Sequence, residues 1–236
     1  MFLAACGAAV ALMTSGILWL LPKAHALIAG PEAFVARNYD GTEYQLNLAD
    51  ARLVLVNGNL PLDAEPAPAL AVAGQQLEAE AAEQYRAMAA AAAADGITLE
   101  LVTGYQDVSA REAAFDARKQ VYLEKGLSEE EAAAYAASVC PPANASEQAT
   151  GYAADILSPD CTEKTTRFAD TRAYEWLTAY AAEYGFVLRW PEERQAATGM
   201  VYEPWHWRYV GVENALAIRA SGLSLEEFLA LERTKL

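Results

Sequence analysis

The segment from Glu203 to Gly211 contains the side chains that are best suited to chemistry. It reads Glu-Pro-Trp-His-Trp-Arg-Tyr-Val-Gly, and it places His206, one of only two histidines in the sequence, three residues after a carboxylate. Aromatic neighbours such as Trp205 lower the local dielectric, so a carboxylate and an imidazole there interact strongly with each other or with a cation. Two interpretations follow. Either His206 is a core histidine, the commoner case on an apolar stretch, or it is a metal ligand with Glu203 as general base on metal-bound water.

The rest of the chain predicts the elements that must position this segment. Hydrophobic patterning and turn residues predict strands over 53–57, 97–102, 151–157, 186–190 and 205–210. Helices are predicted over 70–94, 109–125, 170–184 and 212–220, and from capping boxes at Ser128 and Ser224. Regular β-α-β alternation is missing. The pattern therefore favours an α+β single domain with a small, mainly antiparallel sheet flanked by helices, preceded by an N-terminal apolar helix.

The beginning of the chain predicts export. Residues 2–21 are apolar without a charge, and small residues follow at Ala24-His25-Ala26. This pattern fits a signal peptide or a membrane anchor over 1–26. Residues 27–49 are predicted to form a linker and a hairpin that turns at Asp40-Gly41, and 50–236 the functional domain. We therefore expect an extracytoplasmic protein, secreted or held at the membrane by an uncleaved N-terminal segment.

The net charge limits the classes of partner, and the cysteine content predicts a disulfide. The formal net charge is −15, with 32 acidic against 17 basic residues, which argues against nucleic acid or an anionic membrane surface as the main partner. Beyond the leader, only Cys140 and Cys161 remain. In an oxidising compartment they predict a disulfide worth roughly 3 kcal/mol. Paired metal thiolates are the alternative, but no Cys-x-x-Cys spacing supports them.

A second motif lies upstream, over 146–155, and reads Ser-Glu-Gln-Ala-Thr-Gly-Tyr-Ala-Ala-Asp. It resembles the Ser-Glu-His-Gln-Thr-Gly-x-Ala-x-Asp motif of the VanY-like zinc D-alanyl-D-alanine carboxypeptidases (M15B type). The Glu-Pro-Trp-His-x-Arg-Tyr-Val-Gly ending of that family is matched in full at 203–211. Segments over 55–62, 103–105, 184–191 and 198–199 also resemble the family, in the right order. The resemblance covers roughly 50–212 and implies a Hedgehog/D,D-peptidase-like fold, a zinc cofactor and a peptidoglycan stem peptide as partner.

The resemblance also implies roles for particular residues. Asp155 and His206 correspond to zinc ligands, and Glu203 corresponds to the general base. The predicted substrate pocket contains Ser146, Tyr105, Gln106 and Trp205.

Two departures from the family pattern affect the chemistry. Gln148 stands where the family has its first histidine ligand, and a carboxamide is a poor substitute for imidazole on Zn²⁺. Gln106 stands where the family has an arginine that clamps the terminal carboxylate, and it cannot supply a charged fork. Arg111, on the following helix, is a second candidate for that carboxylate.

Three functional hypotheses remain open from the sequence. The preferred one is a VanY-like domain with weak or absent zinc peptidase activity that binds cell-wall peptides. The second is an active carboxypeptidase with an atypical site, in which Glu147 or a metal tolerant of oxygen ligands compensates for Gln148. The third is a structural extracellular domain that binds neither metal nor peptide.

Overall fold

Two antiparallel sheets form the β part of the fold in the computed structural model, which describes residues 47–234. Strands β1 (Leu70–Ala73) and β2 (Gln75–Glu78) form a hairpin. The second sheet has the order β3-β4-β6-β5, with strands Glu100–Thr103 (β3), Ala153–Leu157 (β4), Phe186–Leu188 (β5) and His206–Tyr209 (β6). All its pairings are antiparallel. The β4–β6 register sets Asp155 directly opposite His206, so this sheet positions the two predicted ligands.

Helices flank these sheets. They are α1 (Ala79–Ala94), α2 (Val108–Glu124), α3 (Glu129–Val139), α4 (Arg172–Tyr180), α5 (Gln195–Thr198), α6 (Val212–Ser221) and α7 (Leu225–Arg233). Both predicted capping boxes are present. The hydroxyl oxygens of Ser128 and Ser224 each accept a hydrogen bond from the backbone N–H three residues on, and the glutamate carboxylate at that position accepts one from the serine backbone N–H. The α+β single-domain prediction is confirmed for the described residues.

The apolar core beneath β5 and β6 is closed by the two C-terminal helices. Val187 and Val210 pack there with Ile218 of α6 and Phe228 of α7. Val187 lies opposite Arg208 in the β5–β6 register, so this core packs beside the sheet face that carries Asp155, His206 and Arg208.

The predicted helix over 70–94 is wrong over its first nine residues. Residues 70–78 form the β1–β2 hairpin, and α1 begins only at Ala79. Gly74 makes the turn with φ 99°, a conformation that favours glycine. The alanine and glutamine content masked the hairpin, because these residues favour a helix and tertiary pairing overrides that preference.

The predicted strand over 53–57 is also wrong. Ala51–Leu53 is a 3₁₀ turn capped by Asp50, whose carboxylate accepts a hydrogen bond from the Arg52 N–H at 2.8 Å. Asn57 only bridges back to Leu60. The apolar residues there anchor a loop instead of pairing in a sheet.

The predicted helix over 170–184 is real but interrupted. Thr171, not Asp170, caps α4, and a 3₁₀ segment Ala181–Tyr184 follows it. Gly185 then turns the chain into β5 with φ 83°. A Cβ at this glycine would lie 2.6 Å from the ring of Tyr209, so close packing as well as turn geometry requires glycine there.

The predicted leader and the hairpin at Asp40-Gly41 lie outside the described residues. Within 47–234, no helix has both the length and the apolarity to cross a membrane. The domain boundaries at 26 and 49 therefore stay predictions.

Candidate active site

Asp155 and His206 form the centre of the site. Oδ1 of Asp155 lies 2.7 Å from Nδ1 of His206, and the imidazole is fully buried. The indole of Trp190 stacks on the imidazole with ring centroids 3.9 Å apart and planes 7° from parallel. His206 is thus packed like a core residue, yet its Nδ1 is directed at a carboxylate that lines a cleft.

Gln148 occupies the third position of the predicted ligand set. A 3₁₀ turn, Glu147–Thr150, places its amide nitrogen 3.4 Å from Nδ1 of His206. Its amide oxygen accepts a 2.8 Å hydrogen bond from the hydroxyl of Ser146. The structure therefore brings Gln148, Asp155 and His206 together at one point.

The donor groups at this point do not fit an ordinary three-ligand zinc site. The amide nitrogen of Gln148 cannot bind a metal, and its oxygen is a neutral donor already engaged by Ser146. Among residues 47–234, no group of three or more histidine, cysteine or acidic side chains could hold a metal ion. Asp155 and His206 remain as two suitable ligands where zinc sites use three or four.

A buried ion network lies on the other side of His206. Nε2 of His206 is 3.5 Å from Glu147, whose carboxylate pairs with Arg189 at 2.7 Å and with Arg208 at 3.1 Å. Arg189 continues to Glu226 through two contacts of 2.8 and 2.6 Å. Burial alone would raise the pKa of Glu147, but the two guanidinium groups outweigh it and hold that pKa well below the usual range. Glu147 is committed to these arginines, and the arrangement does not present it as a replacement ligand.

These carboxylates keep the imidazole charged. Burial would lower the pKa of His206, but its contacts with Asp155 and Glu147 raise it to about 9. Burial likewise acts to raise the pKa of Asp155, yet His206 and Lys164 lower it to about 2. The protein thus holds an imidazolium between two carboxylates.

Glu203, the predicted base, faces the same cleft. It is 6% exposed, and burial raises its pKa to about 7, with His206 partly opposing the shift. A carboxyl group that titrates near neutrality can both accept and donate a proton at physiological pH. Glu203 lines the cleft together with Asp155 and Trp205, and its role as proton acceptor stays a prediction.

We expect Glu203→Gln to stabilise the protein at alkaline pH. The pKa of Glu203 is higher in the folded state than its unfolded value of 4.5, so its contribution is fully present below that value and is lost as pH rises through about 7. The free energy of unfolding of the variant, relative to wild type, should increase by about 2 kcal/mol between pH 5 and pH 8. Urea titrations in EDTA measure it, with the exposed Glu193→Gln as matched control. A difference that stays flat with pH would contradict a buried, unpaired Glu203.

The cleft has a volume of about 370 Å³, and its lining includes the cations Arg111, Arg118 and Lys164. Arg111 is only 6% exposed. Its Nη1 donates to the amide oxygen of Gln106 at 3.0 Å and its Nη2 to the carbonyl of Pro141 at 2.9 Å, while its Nε has no hydrogen-bond partner. Within 47–234, no carboxylate lies within ion-pair distance of this guanidinium. Arg111 is therefore a buried cation that faces a cleft and is held there by the residue at the family's arginine position.

The other predicted pocket residues have different positions. Gln106 and Trp205 line the cleft, as predicted. Ser146 is buried behind Gln148, and Tyr105 is not among the cleft-lining residues. The backbone N–H of Tyr105 instead binds the carbonyl of Gln76, which joins the turn to β2.

Lys164 is the site residue that sequence reasoning missed. It follows β4 by seven residues and lies in no recognisable motif, yet its ammonium contacts Asp155 at 2.6 Å. Only its spacing after Asp155, on the loop that leaves β4, could have suggested it.

The predicted disulfide is not formed, since Cys140 and Cys161 are both free thiols. Cys140 ends α3 and its sulfur accepts a contact from Arg111 at 3.5 Å. Cys161 lies in the turn after β4, with its sulfur 3.5 Å from the carbonyl of Glu163. Each thiol contacts a group near it. The disulfide predicted from an oxidising compartment and an even number of cysteines was therefore wrong.

Comparison with known proteins identifies relatives of this chain. A family model described as "VanY: D-alanyl-D-alanine carboxypeptidase" matches residues 74–212. A D-alanyl-D-alanine carboxypeptidase of Enterococcus faecalis is 31% identical over 183 residues, which cover 77% of this chain and 66% of the relative. The chain spans two thirds or less of the length of the curated relatives that it matches.

Solved structures show the same fold. VanYB in complex with D-alanine-D-alanine matches with a TM-score of 0.68 and 30% identity, covering 76% of this chain and 97% of that chain. A mutant of the vancomycin resistance D,D-pentapeptidase VanY in complex with Zn(II) matches with a TM-score of 0.67 and 30% identity, covering 75% and 98%. The predicted D,D-peptidase fold and the prediction that zinc is the family cofactor are thereby confirmed. With a family model that matches more than half of its length, this chain belongs to the VanY family of D-alanyl-D-alanine carboxypeptidases.

Proposed function

We propose that this protein binds the D-Ala-D-Ala end of peptidoglycan stem peptides outside the cytoplasm and hydrolyses it weakly or not at all. The observation that carries the proposal is Gln148 at the third ligand position, where its amide nitrogen faces Nδ1 of His206. The fold, the cleft and the base Glu203 are those of a peptidase, while the donor set for a hydrolytic metal is incomplete. Loss of the metal site removes hydrolysis more readily than it removes peptide binding.

Arg111 supplies the affinity for the peptide's terminal carboxylate in this proposal. A buried guanidinium whose hydrogen-bond partners are all neutral is costly unless an anion balances its charge. A carboxylate in the cleft would supply that anion through a charge-assisted pair. Gln106, which cannot clamp the carboxylate itself, instead orients Arg111 by accepting its Nη1–H.

The remaining cleft residues fit a small, uncharged peptide body. Trp205 and Val201 offer apolar surface for alanine methyl groups. Glu203, with its pKa raised to about 7 by burial, can donate a hydrogen bond to a peptide carbonyl when protonated. Each of these contacts binds the peptide without requiring a metal.

Calorimetry on the full chain in EDTA tests the proposal. We expect a synthetic peptide ending in D-Ala-D-Ala to bind, and the same peptide with a C-terminal amide to bind at least about tenfold more weakly. Arg111→Met should abolish the difference, while Arg86→Met, which removes a surface guanidinium bonded to Val72, should preserve it. Equal binding of acid and amide would refute the carboxylate site, and no binding of either would favour a structural domain.

An active carboxypeptidase is the second candidate, favoured by the retained geometry of Asp155, His206 and Glu203. Release of D-Ala in the presence of added zinc, abolished by Glu203→Gln, would establish it. We expect no release above background from the wild-type chain.

A further inference from the structure

Lys164 reaches the centre of the site from the protein surface. Its Nζ lies 2.6 Å from Oδ2 of Asp155 and donates a second hydrogen bond, also 2.6 Å, to Oγ1 of Thr103. The lysine side chain is 41% exposed, whereas that of Asp155 is 4% exposed. The lysine side chain thus extends from the protein surface and places its positive charge beside a buried carboxylate.

Both oxygens of this carboxylate are engaged within the protein. Oδ1 of Asp155 faces Nδ1 of His206 at 2.7 Å, and Oδ2 faces Lys164. A buried carboxylate needs nearby positive charge: His206 supplies it at Oδ1, and the ammonium of Lys164, on its four-carbon chain, supplies a second charge at Oδ2. A divalent cation bound to Asp155 would lie so close to this ammonium that the two would repel each other.

We propose that Lys164 is a tethered cation that neutralises Asp155 in place of a bound metal and competes with divalent cations for that carboxylate. The inference rests on the proposed weakness of the metal site. It has two consequences. The fold around Asp155 does not depend on zinc, and any metal must first displace Lys164, which its partial exposure allows.

Zinc calorimetry on the full chain tests the competition. It uses a Gln148→His background, in which a second imidazole joins Asp155 and His206 as the third donor. Adding Lys164→Met should tighten zinc binding about tenfold, because the competing charge is gone. Adding Lys119→Met instead removes a lysine that pairs with exposed Glu129, and should leave the dissociation constant within about twofold. Equal zinc affinity with and without Lys164 would overturn the inference.

Thermal unfolding in EDTA tests whether Lys164 neutralises Asp155. This measurement needs no metal, so it also tests the proposal if Gln148→His binds no zinc. In the otherwise wild-type chain, Lys164→Met should lower Tm by at least about 5 °C, since it leaves Asp155 without its ammonium partner. Lys164→Arg, which keeps the charge, should recover most of that loss. An unchanged Tm for Lys164→Met would refute the proposal. Neither experiment uses a peptide, so its outcome is independent of whether the cleft binds D-Ala-D-Ala.

Discussion

Gln148→His is expected to raise the affinity of the protein for zinc by about 100-fold or more. The substitution places an imidazole where an amide nitrogen now lies 3.4 Å from Nδ1 of His206, and so completes a set of two histidines and one aspartate. Changing groups that only support ligands typically alters metal affinity 10- to 100-fold, and a change of ligand type should exceed that. Calorimetry with zinc alone measures the effect.

The thermal stability of the same variant gives a second measure. At a free zinc concentration of about 100 times Kd, binding should add roughly 2.7 kcal/mol to the free energy of unfolding. The wild-type chain should show little such gain. Gln120→His, which adds an imidazole on the exposed face of α2, is the matched control. Tight zinc binding by the wild type would contradict the proposed weak site, and no binding by Gln148→His, with or without Lys164→Met, would mean that Asp155 and His206 are not arranged as ligands.

The residues at the centre of the site were predictable because they lie in short sequence motifs. The 151–157 and 205–210 patterns predict two strands, and the motifs on them name Asp155, His206 and Glu203. Once β4 and β6 pair in the observed register, the first two must face each other. Capping boxes at Ser128 and Ser224 were equally local and equally reliable.

The surroundings of the site were not predictable in the same way, because they depend on contacts between distant parts of the chain. The sequence leaves Glu147 open as a replacement ligand, but Arg189, directly after β5, and Arg208, on β6, bind its carboxylate. Lys164 reaches Asp155 from a loop without a motif. The sequence offers Arg111 as a candidate for binding the substrate carboxylate, yet the position of its guanidinium depends on Gln106 and on the carbonyl of Pro141. Such side-chain pairings follow from packing, and one sequence alone does not reveal them.

Glu147→Ala is expected to lower the free energy of unfolding by about 3–5 kcal/mol. The side chain is fully buried and is the carboxylate shared by Arg189, Arg208 and His206. Its removal leaves buried positive charges without a counter-ion, and this cost exceeds the loss of any one contact. Urea unfolding measures it. Glu129→Ala, which breaks an exposed ion pair with Lys119, should cost no more than about 1 kcal/mol.

A double-mutant cycle separates the charge effect from simple loss of packing. Among the described residues, Arg208 has Glu147 as its only carboxylate partner within ion-pair distance, whereas Arg189 also has Glu226. Arg208→Met in the Glu147→Ala background therefore removes an uncompensated charge, and the two substitutions should be less than additive by at least about 1 kcal/mol. Strict additivity would mean that Glu147 stabilises the site through packing alone. A coupling of the expected size would show that this ion network stabilises the site electrostatically. The same network holds His206 in its charged state. The site would then be stabilised by charge pairs even though its donor set for zinc is incomplete.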